Sequence, residues 1–157
     1  MKRITFIILL MVLGLTTGLS AHTVTVGEIA GHNGYLPVYT EFGYCYAHQL
    51  YPRSLINYEG TVSKIRFFHH HSGLNSFAGG HNWVIYLGHT MRDSFTSRTD
   101  WEPIANLTQV FAGTIPTHYG PDPEEWLEIS LDTPFFYNNT DNLVVAIHAV
   151  FNGRPSD

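Results

Sequence analysis

Two short stretches constrain this chain most. Val62-Ser63-Lys64-Ile65-Arg66-Phe67 puts Ile65 and Phe67 on one face of an extended strand, with Lys64 and Arg66 on the other. Trp126 to Leu131 repeats the pattern, with Leu127, Ile129 and Leu131 opposite Trp126, Glu128 and Ser130. A period of two belongs to a half-buried β-strand, because successive side chains point to opposite faces. Trp83 to Leu87 and Leu143 to Ile147 are apolar on both faces and rich in β-branched residues, which marks strands covered on both sides. Between the strands lie Gly31–Gly34, Ser72–Asn82, Thr117–Glu124 and Asn138–Asn142, supplied with the residues that turns require. No segment keeps a 3.6-residue apolar period, and Phe95 to Asn106 has room for one helical turn. The expected fold is all-β: an antiparallel β-sandwich of jelly-roll type. Pro134, which has no N–H to give a ladder, is expected to end a strand, and Gly88 to close another. The last apolar strand has no further strand after it, so the natural protein is expected to continue beyond Asp157.

The first residues have a separate purpose. Lys2-Arg3 precede an apolar run, Ile4 to Leu15, and then the small residues that end at Ser20-Ala21. These are the three parts of a secretory signal peptide, and the run is shorter than the ~20 residues that span a bilayer. Cleavage after Ala21 is expected, which divides the chain into a leader, 1–21, and one domain, 22–157. No cysteine stands at the cleavage point to take a lipid anchor. Of the 8 Lys and Arg, Lys2 and Arg3 leave with the leader, and the rest stand against 13 Asp and Glu. So acidic a chain, with no basic run, is unsuited to nucleic acid or to an anionic membrane surface. Cys45 is the single cysteine, so no disulfide forms within the chain and the core alone must hold the domain together. Its thiol reads as a small apolar side chain.

Candidate chemistry lies in the histidines, tryptophans and carboxylates. His69 and His71 share a face of an extended segment, and His81 and His89 flank the apolar strand between them; these four are the candidate ligands for a transition metal such as zinc. Asp100, Asp122, Asp132 and Asp141 are loop carboxylates of the kind calcium takes, but no Asp-x-Asp-x-Asp run is present. The primary expectation is therefore no cofactor. Trp126 with Glu128, and Trp101 with Asp100, each pair an aromatic face with a carboxylate. Such a pair can stack on a sugar ring and accept its hydroxyl hydrogen bonds. Glu124, Glu125 and Glu128 also raise glycoside hydrolysis, but sequence supplies no pairing distance. There is no Gly-x-Ser-x-Gly elbow, phosphate loop or dinucleotide fingerprint.

Taken in order, several stretches resemble a known kind of module. They include Gly34-Tyr35-Leu36-Pro37-Val38-Tyr39, Gly43 to Tyr51, Gly60 to Phe67 and Trp83 to Thr90. Further along come Asp100-Trp101-Glu102-Pro103, Leu107 to Gly113, Leu131 to Tyr137 and Asp141 to Ala146. The chain is similar to the β-sandwich accessory or adhesion-like modules of large secreted and surface proteins of Bacteroidota-type bacteria. Those proteins often carry fibronectin-III-like domains and a C-terminal type IX secretion sorting domain. The resemblance implies a non-catalytic module at the cell surface or in the medium, with the periplasm as second destination. Its partners would be a glycan, a protein surface or neighbouring domains of a longer chain. Cys45, Ala47-His48 and the His69-His70-His71 run depart from that pattern. A secreted hydrolase with a His-bound metal and a purely structural domain are the alternatives. Expression in an exporting host followed by intact-mass measurement should give a chain that begins at His22; retention of Met1–Ala21 would refute the leader.

Overall fold

The computed structural model describes residues 21–27, 37–39, 42–70, 81–115 and 124–151. Among these described residues, six strands and two short helical turns run in the order β1 (Tyr44–Tyr51), α1 (Arg53–Ile56), β2 (Gly60–His70), β3 (His81–Thr90), a 3-10 turn (Ile104–Asn106), β4 (Thr108–Ile115), β5 (Glu124–Tyr137) and β6 (Asn142–Val150). They form two antiparallel layers: a four-stranded sheet in the order β1-β6-β3-β4, and a ribbon of β2 with β5. The expected all-β, sandwich-like fold is what forms. Among the described residues no helix is long and apolar enough to cross a membrane.

The core lies between the layers. The sheet contributes Trp83, Ile85, Leu87, Val110, Val145, Ile147 and Ala149, and the ribbon contributes Phe67, Leu127, Ile129, Phe135 and Tyr137. The alternation read from β2 and β5 therefore sets the buried face, and Lys64, Arg66, Trp126 and Glu128 point away from it. Each fully buried large aliphatic or aromatic side chain adds roughly 1.5–3 kcal/mol. Cys45 packs against this core, and its Sγ accepts the Tyr39 N–H at 3.3 Å.

Three expectations are corrected. β5 runs straight through Pro134 to Tyr137. Val62 pairs with Phe135 and Lys64 with Ser130, so Leu131 to Pro134 bulge out opposite Ser63, where a proline needs no ladder N–H. Asp132, at this bulge, reaches the other layer and accepts the Ala112 N–H of edge strand β4 at 2.9 Å. β3 likewise continues through Gly88, which pairs with Val144. β6 has β1 on one side and β3 on the other, so the neighbour that this strand was expected to lack is present.

The helical turn α1 was not legible as a period because it is a single turn. It starts after Pro52 and stops at Asn57, whose φ of 45 is the left-handed conformation that ends helices. Asn142 ties it down. The Asn142 Oδ1 accepts the Arg53 N–H at 2.8 Å while its Nδ2 donates to the Arg92 carbonyl at 2.8 Å. One buried amide thus joins α1, the start of β6 and the chain leaving β3.

That chain, Met91–Leu107, folds back over the face of the four-stranded sheet turned away from the core. Gly88 is where it docks: a Cβ there would collide with the Leu107 side chain and stand 3.1 Å from the Asn106 carbonyl oxygen. Gly88→Ala should therefore cost about 1–3 kcal/mol in denaturant unfolding, as overpacking does; an unchanged midpoint would mean that the loop is not seated on the sheet.

Candidate functional site

The cross-strand register places His48, Ala146 and Tyr86 in one row of the outer sheet face, and Tyr46, His148 and Val84 in the next. A third row holds Tyr44, Val150 and Asn82. Val144 and Ala146 on this face are as fully buried as the core, although neither belongs to the core cluster between the layers. The face is therefore covered at one end and open at the other. Tyr44 is 56 % exposed, and His148 and Val150 are exposed beside it.

Trp101 sits at the border between the covered and open halves. Its ring meets Tyr46 edge-on at 4.9 Å and stacks over His48 at 6.1 Å with an interplanar angle of 27°. Tyr46 and His48 in turn meet edge-on at 4.9 Å, and Phe95 closes on His48 at 6.0 Å. Trp101 is nevertheless 44 % exposed, so one part of the indole is held and another faces solvent. Burial, and then the neighbouring Tyr86 phenol, push the Tyr46 hydroxyl above the ordinary tyrosine range, so it stays a protonated donor at neutral pH.

Charged residues hold the loop that carries Trp101. Asp100 Oδ1 accepts from Arg92 Nη1 at 2.6 Å, while its Oδ2 accepts from the Thr96 backbone N–H at 2.9 Å and the Thr96 hydroxyl at 2.7 Å. The Arg92 contact, followed by these Thr96 bonds, holds the Asp100 carboxyl well below the usual carboxylate range. Glu102 is buried; it accepts from Thr90 Oγ1 at 3.1 Å and Asn106 Nδ2 at 2.8 Å, and its Oε2 lies 3.3 Å from Arg92 Nε. An open cleft of about 590 Å3 lies behind this cluster, lined by His89, Thr90, Met91, Arg92, Glu102 and Asp141. Its Arg92 and Glu102 are already engaged with each other.

The two tryptophan–carboxylate pairs do not form one site. Trp101 and Asp100 belong to the outer face of the sheet, whereas Trp126 and Glu128 lie on the outer face of the ribbon. Trp126 is 39 % exposed and meets Phe68 edge-on at 5.2 Å. Glu128 bridges Lys64 and Arg66, whose hydrogen bonds hold its carboxyl below the usual range. Neither Asp100 nor Glu128 is thus a spare acceptor: Asp100 positions Trp101, and Glu128 ties β5 to β2.

The four candidate metal ligands are also dispersed. His81 and His89 stand at opposite ends of β3, about 26 Å apart at ~3.3 Å per residue, so no single ion takes both. His81 packs edge-on against Phe151, and His89 stacks on Tyr137 while its Nε2 accepts the Asn138 N–H at 3.2 Å. The backbone of His69 pairs with Glu125, and its side chain, like His71, lies outside the described residues. Among the described residues no three His, Cys, Asp or Glu side chains are grouped to hold a metal. Of the loop carboxylates considered for calcium, Asp132 and Asp141 are engaged with Ala112 and Asn138, and Asp122 lies outside the described residues.

Sequence reasoning missed Tyr46 and His48. Tyr44-Cys45-Tyr46-Ala47-His48 does alternate, a signal that could have placed Tyr44, Tyr46 and His48 on one face.

Because the Asp100 carboxyl is held so low, its ion pair should survive from neutral pH down through the ordinary carboxylate value of 3.8 and fail only well below it. Asp100→Ala should speed hydrogen exchange in residues 92–101 with little change in β6; equal protection in both proteins would remove Asp100 as the anchor. No protein-family model, curated protein or solved structure matches this chain, so its functional reading rests on its own residues.

Proposed function

We propose that the chain is a non-catalytic exported β-sandwich module that binds glycan on the outer face of its four-stranded sheet. The observation that carries this reading is the half-exposed Trp101, fixed against Tyr46 and His48 and continued by Tyr44 and His148 in adjoining rows. A rigid aromatic surface stacks on the apolar face of a sugar ring with little ordering cost, and the exposed His148 imidazole and the tyrosine phenols beside it pair with hydroxyls. Asp100 and Glu128 are held ionised by their cations, which suits them poorly to donate the proton that glycoside hydrolysis needs. The separation of His81 from His89 gives the alternative of a His-bound metal hydrolase no support. The leader and the resemblance to bacterial surface modules favour the cell surface or medium as the destination, with adhesion or display of neighbouring domains as the wider role.

A glycan array followed by titration tests the reading. Trp101→Ala should weaken binding by roughly 30-fold, the equivalent of about 2 kcal/mol for a central aromatic contact. Trp126→Ala, on the other layer, should leave it unchanged. Absence of binding to every glycan, or binding indifferent to Trp101→Ala, would sink the proposal.

A further inference from the structure

Among the described residues of this face, His48 is the side chain whose buried polar atoms lack a partner. Both ring nitrogens are shut off from solvent, and neither has a hydrogen-bond partner among the described residues. A neutral imidazole carries one donor and one acceptor, and leaving either buried and unpaired is costly. The closed arrangement of Trp101 and Phe95 over the ring thus places those atoms beyond the reach of water, their natural partner.

We infer that the loop Met91–Leu107 is a pH-sensitive cover over His48, closed while the imidazole is neutral and released when it takes a proton from solvent. A second N–H and a full charge would make the same burial far more costly, because an unpaired charge in a dry site is disfavoured much more than an unpaired dipole. The groups that face His48 do little to offset this. From its own strand comes the neutral Tyr46, with His148 beyond it at 6.2 Å from the Tyr46 ring. Across β6, the same cross-strand row brings the Tyr86 phenol of β3. The loop brings Phe95, Trp101 and Glu102. Glu102 is the nearby anion, but Thr90, Asn106 and Arg92 already claim it. Burial accordingly lowers the affinity of His48 for a proton more than Glu102 raises it.

The direction follows from linkage. The exposed ring titrates near 6.5 and the covered ring lower, so the open form binds more protons as pH falls through 6.5. The closed cover loses stability over that interval and no further below the lower value. Asp100 keeps its charge throughout, so its link to Arg92 persists while the cover lifts.

Hydrogen exchange of the loop amides, corrected for intrinsic rates, tests this without any ligand and so independently of the glycan reading. Between about pH 7.5 and about pH 5, the opening equilibrium of residues 95–101 should rise by up to about tenfold per pH unit, while β6 stays protected. His48→Phe, which keeps a ring but has nothing to titrate, should abolish the rise. Constant loop protection across that interval, or an equal rise in His48→Phe, would overturn the inference. Should that variant fail to fold, an imidazole NMR titration of the unaltered protein decides: a His48 midpoint below 6.5 that coincides with loop opening supports the cover, and a midpoint at or above 6.5 refutes it.

Discussion

The structure depends on a central pair of strands, β6 and β3, that must be dry on both faces over the half that lies beneath the loop Met91–Leu107. Val145 and Ile147 point into the core, while Val144 and Ala146, which alternate with them, point the other way and are equally buried. A sheet of this kind needs two covers. The β2–β5 ribbon supplies one, with a regular alternation of apolar and polar residues. The irregular loop Met91–Leu107 supplies the other, seated on Gly88 through Leu107. A loop that acts as a layer must settle its own backbone polar groups, which explains the density of side-chain hydrogen bonds around Arg92, Asp100, Glu102 and Asn142.

That division of labour places the candidate site. The ribbon is longer and more regular, yet among the described residues its exposed tryptophan has Phe68 and a neighbouring ion-pair cluster beside it. The loop covers only part of the outer sheet face, and its edge leaves Trp101 between a packed half and an open half. Aromatic exposure and polar frustration therefore coincide on the same few residues. The carboxylates that first suggested sugar contacts have a different purpose: Asp100 holds the loop in place, and Glu128 joins two strands. In the proposed glycan binding, the contacts fall to ring faces and to the polar atoms of Tyr46 and His148.

Much of the fold was legible in the sequence because β-strands write burial at short range. Leu127 and Ile129 against Trp126 and Glu128 fixed both the strand and its buried face, and the apolar runs at Trp83 and Leu143 correctly marked central strands. Pro134 and Gly88 were misread because their local preferences were real but their setting was non-local. The bulge opposite Ser63 gives Pro134 a place inside β5, and close packing by Leu107 gives Gly88 a reason that is not a strand end. Tyr46 and His48 were passed over for a related cause, since alternation assigns residues to a face without saying what covers that face.

Residue order alone thus determined the all-β class, the places of β2, β3, β5 and β6 and the buried faces of β2 and β5, because those properties depend on neighbours one or two places along the chain. Only the tertiary structure decided that Trp101 and Trp126 lie on different layers, that His81 and His89 cannot share an ion, and that His48 is sealed beneath a loop more than forty residues away. Those outcomes depend on which strands pair and in what register. Such pairings join residues far apart in sequence through backbone hydrogen bonds and apolar contacts that no local pattern specifies.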